Sequence, residues 1–150
     1  MTDTEFKQLL ELNKIFVKNP IKLPQQGYYK EYDVNSKTTN DKFVIDVDRR
    51  GMIELSKYKI QTRYEKTKLP LIRIELNGPP HMNPDGRKLS RNHIHIYRET
   101  ENDTGNLPWA YDLSDFRDYD FGNDFDFSII FFKFCDFCHI DSKNIQGVII

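Results

Sequence analysis

Three of the four histidines of this 150-residue chain fall within fifteen residues. His81 lies in Pro79-Pro80-His81-Met82-Asn83-Pro84-Asp85-Gly86, and the other two in Arg91-Asn92-His93-Ile94-His95-Ile96-Tyr97-Arg98-Glu99. On a strand, residues two apart leave the same face about 6.6–6.8 Å from each other. That period predicts His93, His95 and Tyr97 on the polar face of a sheet, with Ile94 and Ile96 in the core behind them. If the preceding run, Leu69 to Leu76, pairs with this strand as sequence neighbours usually do, its non-core residues Arg73 and Glu75 come to lie beside His93 and His95. Asp46 and Arg63 can join from further strands.

Such a set suits phosphodiester cleavage. One imidazole of near-neutral pKa takes the proton of an attacking 2′-hydroxyl, a second protonates the leaving oxygen, and a guanidinium stabilises the charge developing on phosphorus. In this reading His93 and His95 are the acid–base pair, Arg73 binds phosphate, Glu75 or Asp46 orients an imidazole, and His81 is the reserve third histidine. Tyr97, Arg63 and Arg91 contact the substrate, Tyr97 by stacking on a base. No cofactor is required. A metal reading uses the same atoms: His93 and His95 ligate from one face, His81 or Asp85 is the third group, and a position stays open for water. The bland account is an amphipathic strand whose polar positions happen to be histidine, after a loop filled with turn formers.

Other motifs carry less. Cys135-Asp136-Phe137-Cys138-His139 has haem-attachment spacing, but it closes an apolar run and no export signal precedes it, so two buried cysteines near a helix end are expected, with zinc binding a minor alternative. There is no phosphate loop, dinucleotide fingerprint, H-E-x-x-H or G-x-S-x-G.

Helical spacing of Phe6, Leu9, Leu10, Ile15 and Phe16 predicts a helix from about Asp3 to Val17, capped by Thr2, Asp3 or Thr4 and ended by Asn19-Pro20. Alternation then predicts a hairpin of Tyr28–Val34 with Lys42–Asp48, and further strands at Met52–Leu55, Tyr58–Tyr64, Leu69–Leu76 and His93–Tyr97. Asn77 to Asn92 reads as a rigid connecting loop. Residues 99 to 122 read as the most mobile loop, pinned by Trp109 and Tyr111. The aromatic run from Asn123 or Asp124 to His139 exceeds ordinary strand length and reads as a helix buried on most sides. The expected fold is one α+β domain over residues 1–150: a twisted, mainly antiparallel sheet of about five to six strands packed against an N-terminal and a C-terminal helix.

Hydrophobic residues make up 38% of the chain, so a single core is expected without disulfides or metal. No apolar run reaches the length of a membrane span or of a signal peptide, which predicts a soluble, cytoplasmic protein with no membrane partner. Residues 1–98 carry 19 Lys and Arg against 12 Asp and Glu, whereas residues 99–141 carry 2 against 11. The first part suits phosphate; the second repels nucleic acid and suits a basic partner.

The strings Leu71–Gly86, His93–Glu99 and Trp109-Ala110-Tyr111 resemble a small uncharacterised bacterial and phage family catalogued as a domain of unknown function, over most of the chain. The Arg73, Glu75 and His93-x-His95 set is also similar to small ribonuclease toxins of toxin–antitoxin pairs, which implies RNA cleavage at those four residues and a cognate antitoxin as partner. The acidic segment departs from that pattern. It is the kind of surface that phage-encoded anti-defence proteins use, so the rival expectation is a non-catalytic inhibitor or adaptor that binds a host defence protein through Asp115, Asp118 and Asp120. A metal-dependent hydrolase is the third expectation.

Overall fold

Thr2 starts the chain's first helix: its hydroxyl accepts the Glu5 amide proton at 3.0 Å, satisfying one of the donors a helix N-terminus leaves open. The helix, α1, spans Asp3–Glu11 and stops well before Val17. Lys14–Phe16 is instead strand β1, with Ile15 outward and Phe16 in the core. The side chain that decides this is Lys14, 2% exposed. Its ammonium donates to the carbonyls of Leu10 and Leu12 at 2.9 Å and of Cys138 at 2.8 Å, so it closes the end of α1 and ties it to the far end of the chain. Burial pulls its pKa down to about 8.

In the computed structural model, residues 1–51, 56–100, 105–143 and 145–146 are described. The strand expected at Met52–Leu55 lies outside them. After β2 (Ile21–Lys22) come β3 (Tyr29–Ser36), β4 (Lys42–Asp48), β5 (Tyr58–Tyr64) and β6 (Pro70–Leu76). Then follow β7 (His81–Met82), β8 (Lys88–Leu89), β9 (His93–Ile96), β10 (Ala110–Asp112), a 3-10 turn at Leu113–Asp115, α2 (Phe127–Phe137), β11 (Ile140–Asp141) and β12 (Ile145–Gln146). Eight strands form the main sheet in the order β10-β9-β6-β5-β4-β3-β1-β11. Every pairing in it is antiparallel except that of β1 with β11. The architecture is therefore α+β with a large, mainly antiparallel sheet. It is wider than expected because β1, β10 and β11 extend it at both ends.

Helix α2 buries Phe127, Ile130, Phe131, Phe134 and Cys135, the spacing of one helical face, and Cys138 follows at the same interval. These side chains share one core with Ile45, Val47, Ile60, Ile72, Ile74 and Ile94 from the sheet's apolar face. Both cysteines are free and buried, and burial raises their thiol pKa values, Cys138 to about 12, so neither offers a thiolate.

Two loops turn out to be structured. Residues 77–92 fold back as the β7–β8 hairpin, and residues 110–112 add β10 to the edge of the sheet beside β9. Tyr111 is partly exposed there with its ring 5.8 Å from that of Phe116, while Trp109 stacks against the Arg98 guanidinium at 4.2 Å. Among the described residues no helix is long and apolar enough to cross a membrane.

Candidate metal centre

Strand register builds the polar face of the sheet as two rows. In one, Glu31, Asp46, Gln61, Arg73, His95 and Ala110 stand opposite one another across β3, β4, β5, β6, β9 and β10; in the next, Tyr29, Asp48, Lys59, Glu75, His93 and Asp112 do so. Arg73 opposite His95 and Glu75 opposite His93 is the juxtaposition that simple hairpin-like pairing implies.

At the β6–β9 end the face is not open to solvent. His93 and His95 are each 1% exposed, because residues 105–110 and the β7–β8 hairpin lie over them. His93 Nδ1 lies 2.7 Å from the Ser90 carbonyl and His95 Nδ1 lies 2.8 Å from the Leu107 carbonyl. A carbonyl oxygen only accepts, so each Nδ1 carries a proton. Both Nε2 atoms then converge on a single carboxylate oxygen, Glu75 Oε2, at 2.7 Å from His95 and 3.3 Å from His93. Burial raises the Glu75 pKa, but hydrogen bonds from both imidazoles and the charges of His95 and Arg73 outweigh it and hold the carboxyl far below its usual range. Burial and the Arg73 charge pull His95 down. For His93 burial acts the same way, but the bonds to Glu75 and Ser90 overcome it and raise the pKa.

The three atoms His93 Nε2, His95 Nε2 and Glu75 Oε2 lie within 4.8 Å of one another. A tetrahedral ion with bonds of about 2.0–2.2 Å needs ligand atoms roughly 3.4 Å apart. A backbone carbonyl that accepts from Nδ1–H also fixes the tautomer in which Nε2 is free to ligate. Two neutral imidazoles and one carboxylate are a donor set for a divalent cation, with His93 Nε2 and Glu75 Oε2 already near that spacing at 3.3 Å and His95 Nε2 closer to Oε2, at 2.7 Å.

The supporting shell is one the sequence hid. Leu107 takes a left-handed φ of 47° immediately before Pro108, a conformation costing about 1–2 kcal/mol for a residue with a Cβ, and its carbonyl is the one His95 meets. Buried Asn83 acts as a substitute strand for β10, accepting from the Ala110 amide and donating to the Ala110 carbonyl at 3.0 Å each. His81 donates from Nε2 to the Pro108 carbonyl at 2.8 Å, and its ring centre lies 4.7 Å from that of His95 and 5.7 Å from that of His93. It joins the cluster from the hairpin, half-buried.

Other candidates fall elsewhere. Tyr97 leaves the histidine face, packs on Phe6 at 5.5 Å and donates its hydroxyl to the Met1 carbonyl, because the strand ends at Ile96. Arg91 braces the hairpin through the carbonyls of Gly78 and Asn77. Asp85 sits in the exposed hairpin turn, accepting from the Arg87 amide, and is not among the three converging ligands. Asp46 on β4 and Arg63 on β5, two strands and one strand from the histidines' neighbour β6, pair with each other at 2.6 and 2.8 Å and line a groove of about 410 Å³ with Tyr29, Lys59, Gln61 and Arg73. Asp115, Asp118 and Asp120 are exposed; the first two border a separate cavity of about 600 Å³ with Tyr111 and Phe116.

Fold and centre together define an α+β protein with a buried two-histidine, one-carboxylate cluster beside a polar groove. The chain belongs to a family of unknown function, DUF6978, whose model matches residues 1–140. No curated protein and no solved structure matches it.

Proposed function

We propose that the chain is a divalent-metal-dependent hydrolase of phosphoester bonds, with RNA as the phosphodiester to test first. The observation that carries this reading is the convergence of two imidazole Nε2 atoms and one carboxylate oxygen, each imidazole anchored through Nδ1 on a backbone carbonyl. A divalent ion held there by Glu75, His93 and His95 supplies Lewis acidity. Arg73, which lines the adjoining groove, positions the phosphate. His81 is held by its Nε2–H, so its Nδ1 is the nitrogen that takes a proton from the attacking water. The water oxygen forms the new P–O bond, the ester P–O bond breaks, and the leaving alkoxide is protonated from solvent.

The metal-independent reading, with His93 and His95 as acid and base, has less support. Both rings are buried and both nitrogens of each already face acceptors. RNA as substrate and a cognate antitoxin as partner are what the resemblance of Arg73, Glu75, His93 and His95 to ribonuclease toxins implies; a host defence protein is the partner of the adaptor reading.

The test is cleavage of labelled RNA and of an activated phosphodiester by metal-stripped protein, with and without added zinc or manganese, alongside His93→Ala and His95→Ala checked by circular dichroism. Metal-dependent cleavage lost in both variants is the expected result. Cleavage by wild type in excess EDTA transfers the chemistry to the imidazoles alone. Absence of both metal uptake and cleavage would remove the enzyme reading and favour a non-catalytic adaptor. That second reading rests on the cavity of about 600 Å³ flanked by Asp115, Asp118, Tyr111 and Phe116, and it predicts partner binding lost on neutralising Asp115, Asp118 and Asp120 but kept in His95→Ala.

A further inference from the structure

Of the basic side chains in and beside the groove, two have no carboxylate at hydrogen-bond distance among the described residues. Arg63 forks onto Asp46 through Nε and Nη2 at 2.6 and 2.8 Å, and Arg50 forks onto Asp48 at 3.0 Å through each nitrogen. Arg73 and Lys59 do not have a carboxylate of this kind. Arg73 Nε is buried without a hydrogen-bond partner, 3.5 Å from Glu75 Oε2, and its Nη1 makes a 3.3 Å bond to the neutral Gln61 amide oxygen. Lys59 Nζ stands 3.6 Å from Glu75 Oε1. Both side chains line the groove. One carboxylate therefore faces two groove cations at ion-pair distance and, on its other side, the two imidazole nitrogens of the centre.

We propose that Arg73, Lys59 and Gln61 form a phosphate-binding subsite in the groove whose affinity is set by metal occupancy, with Glu75 as the shared element. This rests on the metal reading above. Without a cation, the Glu75 charge is directed at Arg73 and Lys59, and an incoming dianion must compete with it. Once Glu75 ligates a divalent ion, its charge is neutralised by that ion, and both groove cations are released from it, with Asp48, opposite Lys59 on β4, still beside the lysine. Phosphate binding and metal binding then reinforce each other, and by linkage the same factor must appear from either direction. The shared chemistry is a phosphate group, from a phosphomonoester or from a nucleic-acid backbone.

Titration calorimetry of inorganic phosphate into metal-stripped protein and into protein loaded with one equivalent of zinc tests the coupling. Expected is at least a tenfold tighter Kd in the loaded protein, with a matching tenfold gain in zinc affinity at saturating phosphate. Because phosphate can also reach the metal directly, the gain is measured again in Lys59→Met and Arg73→Lys. The Lys59 variant alters a half-exposed side chain, so it keeps the test alive if the Arg73 variant fails to fold. The gain falls to threefold or less in these variants while zinc stoichiometry stays at one. A Kd that ignores zinc, or a gain that persists in both variants, overturns the subsite and leaves the metal centre standing. No zinc binding by wild type overturns the centre and the subsite together. A ribodinucleotide in place of phosphate separates the sources: if it shows the same coupling, the backbone phosphodiester is the group bound, and if only inorganic phosphate does, the ligand is a monoester.

Discussion

Asp46 and Glu75 are both largely buried carboxylates on one face of one sheet, yet they sit in opposite chemical situations. Asp46 receives the Arg63 fork, the Gln61 amide and a Tyr29 hydroxyl shared with Glu31, so donors that keep their protons at neutral pH occupy both of its oxygens. Among the described residues Glu75 receives its side-chain hydrogen bonds from imidazoles, with Arg73 and Lys59 at ion-pair distance but beyond hydrogen bonding. An imidazole can give up its proton and offer a lone pair, whereas a guanidinium cannot. The Asp46 cluster is thus a closed structural network, and the Glu75 cluster can exchange a proton for a metal ion.

The largest expected difference follows from removing each carboxylate. Glu75→Ala abolishes stoichiometric zinc binding, a loss of at least 100-fold measured by calorimetry and elemental analysis, while Asp46→Asn changes zinc affinity less than twofold. Equal losses in both would end the distinction. Stability should show the reverse order in metal-free protein. Asp46→Ala leaves the half-buried Arg63 fork without its acceptor and costs about 2–3 kcal/mol in urea unfolding. Metal itself is the next test: zinc at about 100 times its Kd adds roughly 2.7 kcal/mol, a rise in Tm of about 5–10 °C, in wild type and in Asp46→Asn but not in Glu75→Ala.

A smaller effect tests the shell over the centre. Asn83→Ala removes both of its bonds to Ala110 and should cost about 1–3 kcal/mol, with faster amide exchange at Ala110 and a several-fold weaker hold on zinc, while leaving the Asp46 end unchanged. The smallest concerns Asp41, at the rim of the sheet. Hydrogen bonds from Tyr64 and Thr39 hold its pKa below the usual value. Its folded-state pKa is the lower one, so its contribution is present above the unfolded pKa of about 3.9 and fades as pH falls through the folded value. Asp41→Asn should therefore be less stable than wild type at pH 7, with the gap closing below about pH 4 in thermal melts.

Period-two alternation in Tyr29–Ser36, Lys42–Asp48, Tyr58–Tyr64 and Pro70–Leu76 is readable because one face of each strand packs into the apolar core, which selects apolar or buried residues at every second position, even in Pro70–Leu76 where the other face is covered as well. The same logic placed Arg73 and Glu75 beside His93 and His95. It failed where a segment is too short to show a period. Helical spacing absorbs Lys14–Phe16 into the pattern before it, although pairing with β3 and β11 and the three carbonyls on the Lys14 ammonium make it a strand. Carrying the alternation one residue past the strand's end puts Tyr97 on the histidine face, which it leaves in the structure.

What the sequence determined by itself is the residue inventory and its face assignments: three histidines close together, two of them on the side of β9 that carries Glu75 and Arg73 on β6, and an aromatic helix that fills the core. Those follow from local spacing. Only the tertiary structure decided that the histidines are buried, that Asn83 and the strained Leu107 hold the cover in place, and that Asp46 is sealed by Arg63 while Glu75 is not. Each of these depends on which backbone carbonyl or side chain from a distant segment reaches a given nitrogen or oxygen. That is a matter of ångströms in space, and residue types along a chain do not encode it locally.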